Sequence, residues 1–315
     1  MNACEWGNII FGKAEFDRGE SVMRIGGFLK SGWTCRFWHY KRMAVLALAL
    51  SGLVNTSAHS QDLRAGGQSR DLRDILAAGS LRVAIPNFDV PGFRVRLPSG
   101  EFEGPEIDIA KGIAHAIGVN LVFVDGGNTF NSLAKTVADL EADIGINRMS
   151  ASFDRAPFVR FSEPYVRLRH AMVYNRAVLA RLANGRSPEE AFRNFTGRLG
   201  AIHASSYVEF ARRNFPAATI VEVQSWEEGI QALRDQRIDV LYRDEFEVRR
   251  VIERNPDMGV RFGTAVFTDK IDMKVVYVCN SCTNLLQAVN LYIELNEQYL
   301  AQAMSIDALL RNARR

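Results

Sequence analysis

An arginine and two serines with the chemistry of carboxylate recognition follow a predicted strand at 143–146. Arg155 stands where a predicted helix begins, and its planar guanidinium offers two parallel donors that match two carboxylate oxygens. Ser150 and Ser152 can donate hydrogen bonds to the same group or cap the helix. We therefore predict a site for a carboxylate-bearing ligand that contacts Arg155 and Ser150. A solvated surface arginine is the alternative for Arg155, and Ser152 is open between ligand contact and helix capping.

Sequence motifs of nucleophilic and zinc-dependent hydrolases are absent from the chain. Neither G-x-S-x-G nor H-E-x-x-H occurs, and the histidines after residue 58 form no evident pairing of nucleophile and base. We predict a protein that is not an enzyme, with no catalytic residue, no metal ligand and no cofactor. A dehydratase needs only one well-placed acid or base, so an activity of that kind stays open as an alternative.

Two cysteines, Cys279 and Cys282, form a C-x-x-C pair. Neither a second cysteine pair nor a histidine at ligand spacing accompanies them, which argues against a zinc site. In an oxidising compartment the pair predicts a local structural disulfide. A catalytic dithiol and a pair of reduced, inert thiols are the alternatives.

An export signal is predicted near the N-terminus. Lys41 and Arg42 precede the apolar run 43–50, and small or polar residues follow up to Ala58, which is the order of a secretory signal. The apolar run is about a dozen residues, too short to cross a bilayer as a helix. We predict a leader over 1–58 that is cleaved near Ala58, and a periplasmic location; a buried helix of a cytoplasmic domain is the alternative.

The basic character of the chain belongs mainly to this leader. The whole sequence has a formal net charge of +3, and the leader carries seven Lys and Arg against four Asp and Glu. Without the leader, basic and acidic residues balance. A nucleic-acid partner therefore lacks electrostatic support and is not predicted.

Strands and helices alternate after a linker at 59–70 that is rich in Ser, Gly and Gln, which is typical of α/β layers with mainly parallel sheets. The predicted strands are 81–85, 121–124, 143–146, 199–202, 219–223, 238–242 and 273–278. The predicted helices cover 109–117, 130–141 and 206–214, and others begin at the caps Ser187 and Ser225 and near Thr283.

This pattern predicts two similar α/β lobes. The first contains 71–167 together with 268–315, and the second contains 168–267. The last strand and helix then pack back on the first lobe, which gives two hinge crossovers.

The segment D-I-G-I-N-R-M-S-A-S-F-D-R at 143–155, followed by F-S-E-P-Y at 161–165, resembles a known family. It is similar to the polar-amino-acid solute-binding proteins of bacterial ABC importers, family 3, over about residues 81–290. The resemblance implies the two-lobe periplasmic-binding-protein fold of type II. It also implies capture of an amino acid or related carboxylate, an ABC permease of the inner membrane as partner, and a monomer.

The resemblance also implies roles for individual residues. Arg155 would hold the ligand carboxylate, Phe130 would pack on the ligand side chain, and Ser205 would contribute at a helix N-terminus. Asp244 would pair with the ligand ammonium, or else cap the helix that starts at Glu245. Ala204 stands where the family has glycine.

Three residues of the first lobe depart from the family pattern. Val90 replaces an aromatic residue, Pro105 replaces an aromatic residue at a helix start, and Arg148 replaces a small residue. Arg148 either reaches an anionic group of the ligand or points to solvent.

Other functions on the same fold stay open. The first is an enzyme that resembles cyclohexadienyl dehydratase. The second is a periplasmic ligand sensor or an accessory factor for another exported enzyme.

Overall fold

The computed structural model describes residues 70–186, 188–256 and 258–314. The predicted leader, nearly all of the linker and the predicted cap Ser187 lie outside the described residues, so these stay predictions. Within the described part, none of the helices combines the length and apolar character needed to cross a membrane.

The secondary structure alternates as predicted. The strands are β1 Ser80–Ile85, β2 Val95–Arg96, β3 Phe102–Glu103, β4 Asn120–Asp125, β5 Ile144–Gly145, β6 Val159–Phe161, β7 Val166–Asn175, β8 Arg198–Ile202, β9 Thr219–Val223, β10 Val240–Asp244, β11 Phe262–Lys274 and β12 Tyr277–Cys279. The helices are α1 Leu72–Ala78, α2 Pro105–Ala116, α3 Phe130–Ala138, α4 Arg176–Ala183, α5 Pro188–Arg193, α6 Ser206–Asn214, α7 Trp226–Arg234, α8 Glu245–Arg254, α9 Met258–Arg261, α10 Thr283–Leu295, α11 Glu297–Ala303 and α12 Ile306–Ala313.

The first sheet has the strand order β4-β1-β5-β12-β6. β1 pairs in parallel with β4 and β5, whereas β12 is antiparallel to both of its neighbours. Leu81 and Val83 of β1 and Ile109 and Ile113 of α2 are fully buried in one core. Apolar residues at strand and helix spacing thus join these elements into one lobe.

The second sheet has the order β11-β7-β10-β8-β9. β8 is parallel to β9 and β10, while β7 is antiparallel to β10 and β11. In each sheet four strands therefore run one way and one runs the other way. The prediction of an α/β chain with two sheet-containing lobes is confirmed.

One predicted strand differs in the structure. The strand predicted at 273–278 is two strands, because β11 ends at Lys274 in the second sheet and β12 begins at Tyr277 in the first. Val275 and Val276 lie between them. The chain therefore passes from one sheet to the other at this point.

A disulfide joins Cys279, the last residue of β12, to Cys282, the N-cap of α10. Both cysteines are buried in the core of the first lobe. The bond therefore lies in a strand-to-helix turn, as the sequence predicts.

Candidate ligand-binding site

Five of the six predicted ligand residues line one narrow cavity between the two sheets. The cavity is lined by Phe130, Arg148, Ser150, Arg155, Ser205, Ser206, Tyr207, Arg243 and Lys274. The free space leaves about 10 Å³ for the centre of a water molecule, which is room for one water. Asp244, the sixth predicted residue, lies behind this lining.

The two lobes contact each other beside the cavity. The Glu209 carboxylate on α6 accepts hydrogen bonds from the backbone N–H groups of Phe153 and Asp154, each at 3.2 Å. These contacts hold the turn that carries Arg155 against the N-terminal part of α6.

Arg155 lies in a series of turns at 153–158, not in the predicted helix. Its side chain is buried, and Nε and Nη2 donate to Asn131 Oδ1 at 3.1 and 3.0 Å. Nη1 donates to Ser206 Oγ at 2.8 Å and to Tyr277 OH at 3.1 Å. The guanidinium therefore bridges both lobes, and none of its partners among the described residues is a carboxylate.

Ser150 lies beside a lysine that the sequence analysis missed. Lys274 Nζ donates to Ser150 Oγ at 3.0 Å and to the carboxylate of Asp272. Burial lowers the pKa of the Lys274 ammonium, although Asp272 and Asp244 oppose this effect. Lys274 is the last residue of β11. Its sequence context does not distinguish it from a surface lysine, because its burial depends on packing between the lobes.

Ser205 is the N-cap of α6, and its hydroxyl donates to Ile202 O at 2.6 Å rather than accepting from the helix. Ala204 before it has φ 54°, in the left-handed region that favours the family's glycine. Ala204 adopts this conformation despite its side chain, at some cost in backbone strain. It directs the N-terminus of α6, which attracts anions, towards the cavity.

Arg148 does not point to solvent, which excludes one of its two predicted roles. It is 3% exposed, and Nη2 donates to Asp244 Oδ2 at 2.6 Å while Nη1 donates to Glu247. The guanidinium also lies against the rings of Phe93 and Phe246, with distances to the ring centroids of 4.8 and 5.3 Å.

The backbone of Arg148 is fixed as well. Its φ of 49° lies in the left-handed region, and its N–H donates to Glu106 Oε1 at 2.6 Å. The same carboxyl group accepts from Tyr165 OH. Burial raises the pKa of Glu106, while these two hydrogen bonds oppose the shift.

Asp244 is fully buried and caps α8, because its Oδ1 accepts from the backbone N–H of Glu247 at 3.0 Å. Its Oδ2 is within 4.0 Å of Lys274 Nζ and 3.7 Å of Arg243 Nε, in addition to its contact with Arg148. Burial by itself raises the pKa of a carboxyl group, but the three neighbouring cations hold the pKa of Asp244 well below its usual value. Both oxygens of this carboxylate are thus engaged by the protein.

Arg243 is a second cation that the sequence analysis missed. It is buried between the rings of Phe130 and Tyr207, at 5.6 and 5.2 Å from their centroids. Its Nε is buried without a hydrogen-bond partner among the described residues. Its position directly before Asp244, at the end of β10, was the signal in the sequence that could have indicated a site residue. Its burial depends on the packing of both lobes.

Residues 81–180 match the family described as bacterial extracellular solute-binding proteins, family 3. The predicted resemblance is confirmed. The matched segment carries four of the six predicted ligand residues, namely Phe130, Arg148, Ser150 and Arg155.

Curated relatives include an enzyme and a binding protein. Cyclohexadienyl dehydratase of Pseudomonas aeruginosa is 27% identical over 219 residues, which is 69% of this chain and 76% of that protein. ABC transporter arginine-binding protein 1 of Escherichia coli (strain K12) is 22% identical over 174 residues, which is 54% of this chain and 65% of that protein.

A solved structure shares the fold. The amino acid ABC transporter substrate-binding protein AbpA of Streptococcus pneumoniae, bound to L-arginine, matches with a TM-score of 0.61 and 21% identity. The match covers 77% of this chain and 99% of that chain. The predicted type II periplasmic-binding-protein fold is therefore confirmed.

Proposed function

We propose that this chain is exported to the periplasm, captures a small carboxylate-bearing metabolite between its two lobes, and delivers it to the permease of an ABC importer in the inner membrane. The observation that carries the proposal is the cavity between the sheets, which is lined by four cations and by hydroxyl groups of both lobes. Guanidinium groups and a helix N-terminus bind carboxylates by charge-assisted hydrogen bonds. The family match favours an amino acid or a related organic acid.

Closure of the two lobes explains why residues of both lobes line the site. Arg155 of the first lobe donates to Ser206 of the second, and Arg148 donates to Asp244 across the same gap. Because the cavity in this arrangement has room for one water only, a metabolite enters with the lobes further apart and then links them by its own contacts.

A thermal-shift screen of the purified protein against amino acids and small carboxylates tests the binding role. A ligand at a hundredfold excess over its Kd stabilises the native state by about 2.7 kcal/mol, which raises the unfolding temperature by several degrees. If no carboxylate in the screen raises the unfolding temperature, the proposed binding role is wrong.

Delivery to an importer is tested in cells. Deletion of the gene is expected to abolish high-affinity uptake of the ligand that the screen identifies. Normal uptake in the deletion strain contradicts a transport role and favours a sensor or accessory role. N-terminal sequencing of the envelope form, which is expected to begin close to His59, tests export.

A dehydratase activity is the second candidate, and the match to cyclohexadienyl dehydratase favours it. Lys274 lines the cavity, and burial lowers its pKa, which suits a group that transfers a proton. Recovery of the bound ligand after prolonged incubation separates the two functions. A binding protein returns the ligand with its mass unchanged, whereas a dehydratase returns a product that has lost at least the mass of one water.

A further inference from the structure

Buried charges around the cavity do not balance. In the described part of the chain, the cavity lining and the charged groups that interact with it include six buried cations and four buried carboxylates, among them Arg94 and Glu106, which interact with each other. The other cations are Arg148, Arg155, Arg243, Arg250 and Lys274, and the other carboxylates are Asp244, Glu247 and Asp272. The cluster therefore carries a surplus of two positive charges, which are costly to bury unless they are paired.

The surplus belongs to two guanidinium groups. Lys274 is paired with Asp272, and Arg148 and Arg250 are paired with Asp244 and Glu247. Arg155 has only neutral acceptors, and Arg243 has Asp244 at 3.7 Å without a hydrogen bond. Both guanidinium groups line the cavity.

A ligand ammonium has no carboxylate to bind in this cavity. Asp244, which the family resemblance assigns to that role, does not line the cavity, and both of its oxygens are engaged. The guanidinium of Arg148 holds the position opposite Asp244 that an ammonium would need. Moving Arg148 aside would remove a hydrogen-bonded counter-charge from Asp244 and one of the two from Glu247, and both carboxylates are buried, which is unfavourable.

From these observations, and resting on the proposed binding function, we infer that the ligand is a small organic dianion without an ammonium group, a short dicarboxylate. Arg155 and Arg243 supply the two charges that have no hydrogen-bonded carboxylate among the described residues, and Arg148 acts as a built-in substitute for the ligand's ammonium. The positive N-terminus of α6 adds to the preference for an anion.

Calorimetric titration with matched ligand pairs tests this inference. Succinate and aspartate share a carbon skeleton and differ by one amine, and glutarate and glutamate form a second pair. We expect each dicarboxylate to bind at least tenfold more tightly than its amino counterpart. Equal or tighter binding of the amino acids overturns the inference while leaving the proposed function intact. Absence of binding by all carboxylates overturns the proposed function itself.

Two variants address the residues directly. Arg243→Gln removes a charge whose guanidinium makes no hydrogen bond to a carboxylate of the described residues, so we expect it to fold and to weaken dicarboxylate binding by roughly a hundredfold. Arg249→Gln, at an exposed position of α8, is the matched control and is expected to bind normally. Unchanged dicarboxylate affinity in Arg243→Gln contradicts the assignment of that charge to the ligand.

Arg148→Ser frees Asp244 for a ligand cation. We expect the ratio of dicarboxylate to amino-acid affinity to fall by tenfold or more in this variant. If it does not fold, Arg148→Gln removes the charge while keeping an amide donor, and the same fall in the ratio is expected. Persistence of the wild-type ratio in a folded Arg148→Ser or Arg148→Gln variant counts against the substitute role.

Discussion

The guanidinium of Arg148 in the first lobe donates to the carboxylate of Asp244 in the second lobe at 2.6 Å, and both groups are buried. The two residues are 96 positions apart in the chain. Since desolvating two charges is costly, such a pair persists only where further hydrogen bonds support it, and Glu247 supplies one to each partner. The pair therefore links the lobes, and Asp244 does not line the cavity.

Asp244→Ala is expected to lower the free energy of unfolding by about 3–5 kcal/mol, because it leaves buried Arg148 with less counter-charge and removes the cap of α8. Urea denaturation of the unliganded protein measures this loss. Asp307→Ala, at an exposed position of α12, is the matched control and should cost less than about 1 kcal/mol. Nearly unchanged stability of Asp244→Ala would show that the pair contributes little to the fold.

Because His170 is buried, we expect the protein to lose stability in mildly acidic solution. Burial lowers the pKa of His170 to about 4, so the unfolded state binds more protons than the folded state between that pH and the ordinary histidine pKa near 6.5. The free energy of unfolding should therefore fall with falling pH over this window, by at most about 1.4 kcal/mol per unit.

The His170 contribution is isolated by comparing urea denaturation at several pH values for three proteins. His170→Gln should show a shallower dependence on pH than the wild type. His115→Gln, at an exposed position of α2, is the control and should retain the wild-type dependence. Identical slopes in the wild type and His170→Gln would rule out a buried neutral histidine.

The disulfide between Cys279 and Cys282 is expected to be present in the protein isolated without reductant and to be dispensable for ligand binding. It lies in the core of the first lobe and does not line the cavity. Thiol labelling under denaturing, non-reducing conditions checks the first part. A double Cys→Ser variant that folds should bind its ligand within about threefold of the wild type, and a larger loss of affinity contradicts the second part.

Local signals predicted the secondary structure well. Helix α6 and strand β9 have the predicted bounds, and Ser225 caps α7 by accepting from the N–H of Glu228. These features depend on neighbours in the sequence. The division of 273–278 between two sheets was missed, because it depends on which sheet each half pairs with.

The site was predicted only in part, for a related reason. The family pattern indicated the segment with Ser150 and Arg155, but the burial of Arg243 and Lys274 results from the packing of two lobes. Likewise, the sequence left Arg148 open between ligand and solvent. Its pairing with Asp244 and Glu247 is a contact between distant parts of the chain, and a local sequence pattern does not indicate such contacts.

Calorimetric titration of Arg155→Ala with the best carboxylate from the thermal-shift screen tests the central claim most directly. Arg155 lines the cavity and bridges the lobes, so its removal should weaken binding by roughly a hundredfold or more, about 2.7 kcal/mol at 1.4 kcal/mol per tenfold. Arg160→Ala, at an exposed position of β6, should leave the affinity unchanged. Wild-type affinity in a folded Arg155→Ala variant would contradict a carboxylate site in this cavity.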